Sequence, residues 1–552
     1  APLDDGRPLR ICDPAAGGGS FLLAARAALT RSPAALVGVD VDEGALRIAR
    51  SALPDAELLE GDGLTDLTAA RYDAVLTNPP WETLQDGPDA PARVAALRPR
   101  FDHQGRGKLF TYRLFLERAY QLLRPGGRLG LVVPASLWFD RDAEPLRDLL
   151  LQRCSWEWLY GFENRERIFD IDSRYRFGVV IATKGGPTRR VQVAFGRTEL
   201  SSWTAREPEH TRYERAELRR LSPGSGAFVE VESRRDLDVL SRMRARGAPL
   251  LQDLTWRQGD FNMTADRDRF VLREQAEAAG YAAAADGVWR SAGRPDLIGL
   301  RQGAMIYDLD PNAGAHDRGV GHKTRWRRPA TIDELRPLYL VDAAAWRRAA
   351  ATRSPARIAL RALSNATNER TAIACLLPDV PCGNSLGVLT PSDDASTARP
   401  LRLLAATAAM LASLPFDWAL RLRMGGTNLN RFVLSDCVLP KVSDAGRDEL
   451  ARGALQLCAT TRWSEALWEQ AAREGWAAGA APIREAAARR EQQTRLDLLV
   501  GRAFGLDEDD VAWLTRGRPF AKGFWRVERA LPEPERRPSR WRRSAAADRA
   551  GY

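Results

Sequence analysis

A chain of 552 residues is too long for one hydrophobic core and calls for three or four domains. With 44% hydrophobic and 28% charged residues it has a globular composition, and no apolar run reaches the length of a membrane-spanning helix. The net charge of +10 favours a polyanionic partner, while 6 cysteines without a CxxC pair and only 4 histidines argue against a zinc site or a disulfide framework. A reducing, cytoplasmic setting with no membrane partner is expected.

Residues 1–186 read as alternating strands and helices. Leu9–Asp13 predicts a strand, followed by a glycine turn and a helix from Ser20 to Thr30. Ala35–Asp40 and Glu43–Ala52 predict the next strand and helix, and Glu57–Asp62 and Ala74–Thr77 two more strands. Leu109–Leu123 has amphipathic periodicity and is stopped by Pro125-Gly126-Gly127. Arg128–Pro134, Trp156–Phe162 and Phe177–Thr183 complete what the alternation predicts to be a parallel, doubly wound sheet. After Lys184-Gly185-Gly186 the pattern changes. Residues 187–440 mix short strands, short helices and turns, and from 441 onward the chain reads as mostly helical, including Ile483–Phe504. The Arg-rich end, Arg536–Tyr552, is expected to fray.

The first chemical signal is Asp13-Pro14-Ala15-Ala16-Gly17-Gly18-Gly19-Ser20, a turn at the carboxyl end of the first strand that opens a helix. Ligands bind at such strand ends, and glycines let the backbone approach them closely. Asp13 is placed to pair with a cation such as the ammonium of a methionine moiety. Asp40 closes the second strand, where a carboxylate can accept from both hydroxyls of a ribose. Asp62, at the end of the third strand, can accept from an adenine amine. Asp42 reads as an ordinary first-turn acid. Each acid alone reads more readily as a cap, but acids at three successive strand ends form a pattern.

The strongest signal is Asn78-Pro79-Pro80-Trp81 after the fourth strand. Two prolines stiffen the loop and remove two backbone donors, leaving carbonyls free to accept. The exocyclic amine of adenine is a poor nucleophile because its lone pair is delocalised into the ring. Acceptors that draw on both its protons favour a more tetrahedral nitrogen. The Asn78 side-chain oxygen and the Pro79 carbonyl can do this together, with Trp81 offering a face for stacking. A rigid proline turn with a packed tryptophan is the structural alternative.

Together these motifs resemble class I methyltransferases acting on amines, and the Asn-Pro-Pro-aromatic loop resembles that of N6-adenine DNA methyltransferases. Similar loops occur in enzymes that methylate the glutamine of release factors. The resemblance implies S-adenosylmethionine as cofactor, held by the turn containing Asp13, Ala15, Gly17 and Gly19, with Asp40 on its ribose and Asp62 on its adenine. It implies Asn78, Pro79, Pro80 and Trp81 as the target-amine site. Ile168-Phe169 before Phe177-Gly178-Val179-Val180 resembles the segment whose aromatic packs on a flipped adenine, which makes Phe169 a further candidate; core packing is its alternative. Base extrusion costs a few kcal/mol and stacking returns roughly 1–3 kcal/mol per base, so Trp81 and Phe169 clamping both faces would offset most of the cost.

The cofactor turn precedes the Asn-Pro-Pro loop and the long extra region follows both. This order resembles the gamma arrangement of restriction-modification and phage-defence methylases. It implies an α/β Rossmann-like catalytic domain at 1–186, a mixed α+β target-recognition region at 187–440 and a helical part at 441–552. Gly259–Thr264, Gly303–Tyr307, Thr367–Thr371, Gly425–Asn430 and Lys522–Val527 resemble segments of such C-terminal halves. His322–Arg328 mixes cations with Trp326 and reads either as a contact to a nucleic-acid backbone or as a solvated basic loop. The turn has Ala16 and Gly18 where the family often shows Cys and Ser, both small replacements. Gamma enzymes usually carry a helical segment before the first motif, and here only a few residues precede it. A fragment, or a subunit completed by another chain, is therefore expected. No nuclease signature is evident in this sequence; double-stranded DNA is the expected partner, with nuclease or defence-system subunits, fused or associated, as further ones. Methylation of RNA or of a protein glutamine, and DNA binding without turnover as a specificity subunit, remain open as alternatives.

Overall fold

The computed structural model describes residues 6–85, 90–105, 107–204, 209–349, 354–366, 368, 370–393 and 398–515. Thr367, Glu369, Lys522–Val527 and Arg536–Tyr552 lie outside them. The chain divides into two compact units, Ala1–Leu237 and Asp238–Tyr552.

In the first unit, strand β1 (Leu9–Asp13), helix α1 (Ser20–Ala28), β2 (Ala34–Asp40), α2 (Glu43–Ala52), β3 (Glu57–Glu60) and β4 (Tyr72–Thr77) follow the expected order. They are followed by α3 (Ala90–Leu97), α4 (Thr111–Leu122), β5 (Leu123–Pro134), the short α5 (Ser136–Phe139), α6 (Glu144–Arg153), β6 (Cys154–Glu163) and β7 (Arg176–Lys184). Apolar residues at both faces of the central strands, such as Ile11, Val37, Val75 and Leu131, are buried against the flanking helices.

The sheet is not wholly parallel, which corrects the expectation from strand–helix alternation. β7 inserts between β5 and β6 and runs antiparallel to both. The reason lies in the connection: residues 164–175 contain only one short 3-10 turn, Asn164–Glu166, and no crossover helix, so the chain returns antiparallel. The sheet also continues past residue 186. β8 (Arg190–Arg197) pairs with β6 and β9 (Thr211–Glu214) pairs with β8, giving nine strands in the order β3-β2-β1-β4-β5-β7-β6-β8-β9.

Helix α4 is not amphipathic in the sense its periodicity suggested, because its polar side is buried as well. Arg113, Glu117 and Arg118 are all under 9% exposed. Arg118 donates to the carbonyls of Gly63 (3.3 Å) and Leu67 (2.5 Å). Glu117 accepts from the backbone of Asp102 and His103 and from the Gln104 amide at 2.7–3.0 Å. These groups face loops rather than solvent, so each charge finds donors or acceptors that repay its desolvation.

The second unit holds a four-stranded and a five-stranded antiparallel sheet, two two-stranded ribbons, and the helices that dominate beyond residue 441. Among the described residues no single helix is long and apolar enough to cross a membrane. Several sequence motifs prove to be internal scaffolding. Arg370 and Thr371 are 5% and 0% exposed, because the Thr371 and Ala372 amides donate to Asp417 at 2.7 and 2.6 Å. Arg421 donates to the same carboxylate at 2.6 Å and to the carbonyls of Ala366 and Asn368. Ala366, Asn368, Thr371 and Ala372 are thus tied to helix Leu414–Arg421, and the buried Arg370 and Thr371 are not offered to a base edge. Gly259 is pinned by close approach, since a Cβ there would lie 2.6 Å from the Gly383 carbonyl carbon at a φ of +66°. Met305 and Ile306 are core residues. In Gly425–Asn430, by contrast, Thr427 and Asn428 are exposed.

Removing one partner of a fully buried ion pair strands the other charge. Arg421→Met is therefore expected to lower unfolding stability by about 3–5 kcal/mol, read as a shift in the denaturant midpoint. An unchanged midpoint would show that Asp417 needs no such partner.

Candidate active site

The candidate residues gather at one edge of the first sheet. β3, β2, β1 and β4 are neighbouring parallel strands, so their carboxyl ends lie side by side. Strand spacing in a sheet is about 4.8 Å. Asp13, Asp40, Asp62 and Asn78 stand at, or within two residues of, these four ends.

The glycine turn is held by the strands around it. The Ala16 amide donates to the Val39 carbonyl at 2.9 Å, and the Gly17 amide to Asp40 Oδ2 at 2.8 Å. Gly17 and Gly19 adopt φ of +50° and +82°, which a side chain would strain. A Cβ on Gly17 would meet nothing within 4 Å, so the turn borders open space. A Cβ on Gly63, in contrast, would lie 1.9 Å from the Pro14 carbonyl oxygen. The loop after β3 therefore lies directly on the glycine turn, and only glycine permits that approach.

Asp13 is 1% exposed and its Oδ1 accepts from the Ala15 amide at 3.1 Å. Burial pushes its carboxyl up to about 7, while the adjacent Thr77 hydroxyl and the Ala15 amide pull the other way and Asp40 adds to the rise. A cation beside Asp13 would reverse that rise. Asp40 Oδ1 accepts from the Asp42 amide at 3.0 Å. Each Asp40 oxygen then has one backbone donor and a lone pair left for a hydroxyl. Asp62 Oδ1 accepts from the Leu64 amide at 2.9 Å, leaving Oδ2 with only a distant guanidinium, Arg93, at 4.0 Å. Asp42 is the helix N-cap, accepting from the Gly44 and Ala45 amides, as its position implied. Val41 went unnoticed in the sequence. It is 73% exposed, directly after Asp40, and offers an apolar surface at the same edge. A lone valine after an acid carries little sequence signal, because exposure is a tertiary property. The open turn, an unsated carboxylate pair and a buried acid lacking a cation fit an amino-acid-bearing nucleoside.

Asn78 follows β4 immediately. Its Oδ1 is buried and has no hydrogen-bond partner among the described residues. Leaving such an acceptor unpaired costs about 1–3 kcal/mol. The loop is kept in place from α4: Thr111 Oγ1 donates to the carbonyls of Pro80 (2.5 Å) and Glu82 (3.1 Å), and the Thr111 amide donates to Glu82 at 3.0 Å. Leu84 donates to the Leu109 carbonyl at 2.9 Å. The Pro80 carbonyl thus accepts one hydrogen bond from α4, and the expected acceptor beside Asn78 is the carbonyl of Pro79.

The aromatic pair differs from the expected clamp. Trp81 and Phe169 meet edge to face, with centroids 5.9 Å apart and planes at 82°, and both touch Phe177. That contact leaves no slot between the rings, because each already packs on the other. A base cannot lie sandwiched between the two rings in this arrangement. Phe169 sits on the β6–β7 connection, which is stapled by Asn164. The Phe169 amide donates to Asn164 Oδ1 at 2.9 Å, and Asn164 Nδ2 donates to the carbonyls of Phe169 (2.9 Å) and Ile171 (3.2 Å). Asn164 is 0% exposed. It is a positioning residue that the sequence did not reveal, because an asparagine after a strand reads as an ordinary turn.

Comparison with known proteins agrees with this geometry. Residues 55–169 match the model of the Eco57I restriction-modification methylase family. The type II methyltransferase M.TthHB8I of Thermus thermophilus is 32% identical over 155 residues, covering 27% of this chain and 35% of that protein. A release factor glutamine methyltransferase of Moorella thermoacetica is 33% identical over 138 residues, covering 24% of this chain and 48% of that protein. The chain thus spans between 35% and 48% of these relatives' lengths. Among solved structures, the type IIL restriction-modification enzyme MmeI in complex with DNA aligns over 92% of this chain and 72% of its own, with a TM-score of 0.51 at 12% identity. The first unit has the class I S-adenosylmethionine-dependent methyltransferase fold, and the likeness to MmeI extends the shared fold into the second unit.

Asn164→Ala removes the donors and acceptor that order the Phe169 segment. Amide exchange at residues 167–172 is expected to quicken at least tenfold, with β6 and β7 protection unchanged. Equal exchange in both proteins would remove Asn164 from this role.

Proposed function

We propose that the chain is a site-specific DNA methyltransferase that moves a methyl group from S-adenosylmethionine to N6 of an adenine extruded from duplex DNA, in restriction-modification or phage defence. The observation that carries this reading is the buried, unpartnered Asn78 Oδ1 beside a proline-stiffened carbonyl, next to an open glycine turn. The match of residues 55–169 to a restriction-modification methylase family supports it.

S-adenosylmethionine supplies an electrophilic methyl group on a sulfonium. Asp13 would hold its ammonium, Asp40 its ribose hydroxyls and Asp62 its adenine amine, with Val41 and the Gly17–Gly19 turn lining the cradle. Asn78 Oδ1 and the Pro79 carbonyl accept from the two N6 protons of the target base. This draws the nitrogen lone pair out of the ring and orients it. The hydrogen bond to the target also satisfies an acceptor that is otherwise buried without one, so the gain is tied to the bound base. Trp81 or Phe169 stacks on the base. No carboxylate base is required if the proton leaves to solvent after transfer. Within the expected region 187–440, β8 and β9 belong to the first sheet, so target recognition falls to the part after Leu237. A nuclease or defence subunit, fused or associated, belongs to this reading as a partner.

A second reading has a specific observation behind it, the 33% identity to a release factor glutamine methyltransferase. A glutamine amide presents the same pair of protons to Asn78 and Pro79. Digesting the labelled product with DNase or with protease separates the two.

Asn78→Ala is expected to lower methyl transfer to unmethylated duplex DNA by at least a hundredfold while leaving S-adenosylmethionine binding within about twofold. Equal transfer by both proteins would overturn the catalytic assignment.

The pH dependence follows from Asp13. Its carboxyl is held up to about 7, and an ammonium bound beside it favours the carboxylate. Binding below that pH must therefore expel a proton. Calorimetric affinity for S-adenosylmethionine is expected to fall by up to about tenfold per unit below about pH 7, and to decline again above about pH 8 as the ligand's ammonium deprotonates. Asp13→Asn should weaken binding and abolish the acid-side slope. A flat acid-side profile in the unaltered protein would refute the ammonium assignment.

A further inference from the structure

We infer that the ribbon Ala315–Arg327 is a preformed grip on the phosphate backbone of duplex DNA, supplying affinity rather than sequence choice. This rests on the proposed DNA substrate and assigns part of its binding surface.

Strands Ala315–Arg318 and Arg325–Arg327 pair only with each other, forming a separate two-stranded sheet. Between and beside them stand Arg318, Lys323, Arg325, Arg327 and Arg328 against a single acid, Asp317. Arg318, Lys323, Arg325 and Arg328 are exposed, as is the whole tip from Gly319 to Lys323. Nearby acids offset part of this charge, at Arg327 and Arg318, and the stretch keeps a positive excess. Glu334 is engaged by Arg327 and by the Ala330 amide, Asp333 accepts from the Arg462 amide at 2.7 Å, and Asp317 lies 3.7 Å from Arg318.

The base of the ribbon is rigid. His316 is 2% exposed, its Nε2 lies 2.9 Å from the Gly319 carbonyl, and its ring meets Trp326 edge to face at 5.7 Å. The tip is tight as well. Gly319 has φ +81°, and a Cβ there would lie 2.3 Å from the Lys323 carbonyl oxygen. Thr324 Oγ1 closes the turn by donating to the Gly321 carbonyl at 2.8 Å. A solvated basic loop needs none of this order. An ordered two-stranded ribbon with outward cations is narrow enough to enter a major groove and meet the phosphates at its walls. Fixing the cations beforehand lowers the entropy lost on binding.

The test is the salt dependence of binding to a duplex of arbitrary sequence, by fluorescence anisotropy, for the unaltered chain and for Arg318→Gln/Lys323→Gln/Arg325→Gln. Each lost phosphate contact should reduce the slope of log K against log salt by about 0.9, so the triple variant should lose about 2–3 and bind all duplexes correspondingly more weakly. Its S-adenosylmethionine affinity and thermal midpoint should stay as in the unaltered chain, since all three side chains are exposed. An unchanged slope, a loss confined to one sequence, or tighter binding to an RNA hairpin than to duplex DNA would overturn the inference. Methyl transfer is assayed separately on the same proteins, so the outcomes separate. Methylation of DNA with an unchanged slope sinks the ribbon alone, and a reduced slope without methylation of any DNA sinks the catalytic reading alone.

Discussion

Among the described residues Asn78 Oδ1 is buried without a hydrogen bond, at a strand end where the loops of the first unit converge. Asn78 Oδ1 would ordinarily be solvated or paired, and burial without a partner is costly. It persists because the loop cannot relax: Pro79 and Pro80 fix the backbone, and Thr111 holds the Pro80 carbonyl from the start of α4. The cost is carried by the hydrophobic body of the sheet, and under the proposed function a donor-bearing nitrogen would recover it. Strain of this kind at a strand end points to chemistry there.

Helix α4 explains how several loops come to hold one geometry. Its polar residues point into the protein and each grips a different segment. Thr111 holds the Asn78 loop, Glu117 gathers residues 102–104, and Arg118 takes the Gly63 carbonyl behind Asp62. The loops carrying Asp62 and Asn78 therefore share one rigid support. The Gly63–Pro14 approach adds a second link, between the loop after β3 and the glycine turn. Asn164 plays the same part for the segment carrying Phe169.

The arginines of the second unit serve two ends. Arg421 and Arg357 are under 3% exposed and act as internal ties, Arg357 joining Asp260 and Asp379 at 2.6 and 2.7 Å. Guanidinium suits this because its planar fork satisfies several acceptors at once while staying charged. Arg318 and Arg325 of the 315–328 ribbon are exposed. A positive net charge therefore says little by itself about nucleic acid; what matters is which cations the fold leaves at the surface.

The strand ends bearing Asp13, Asp40 and Asn78 were legible because each follows an apolar strand and precedes a turn, a local pattern that tertiary packing rarely rewrites. The glycines were legible for the same reason, as positive φ at Gly17 and Gly19 admits little else. Sequence alone thus determined the four parallel strands, the turn and the residues at their ends. It did not determine that β7 would run antiparallel, that β8 and β9 would extend the sheet, or that α4 would bury its polar side. Each depends on which surfaces meet, and chain periodicity records only which residues are apolar. Nor did it distinguish Arg370, which ties a turn, from Arg325, which faces solvent: burial of a long cation is decided by whether distant segments bring it acceptors, and only the folded chain does that.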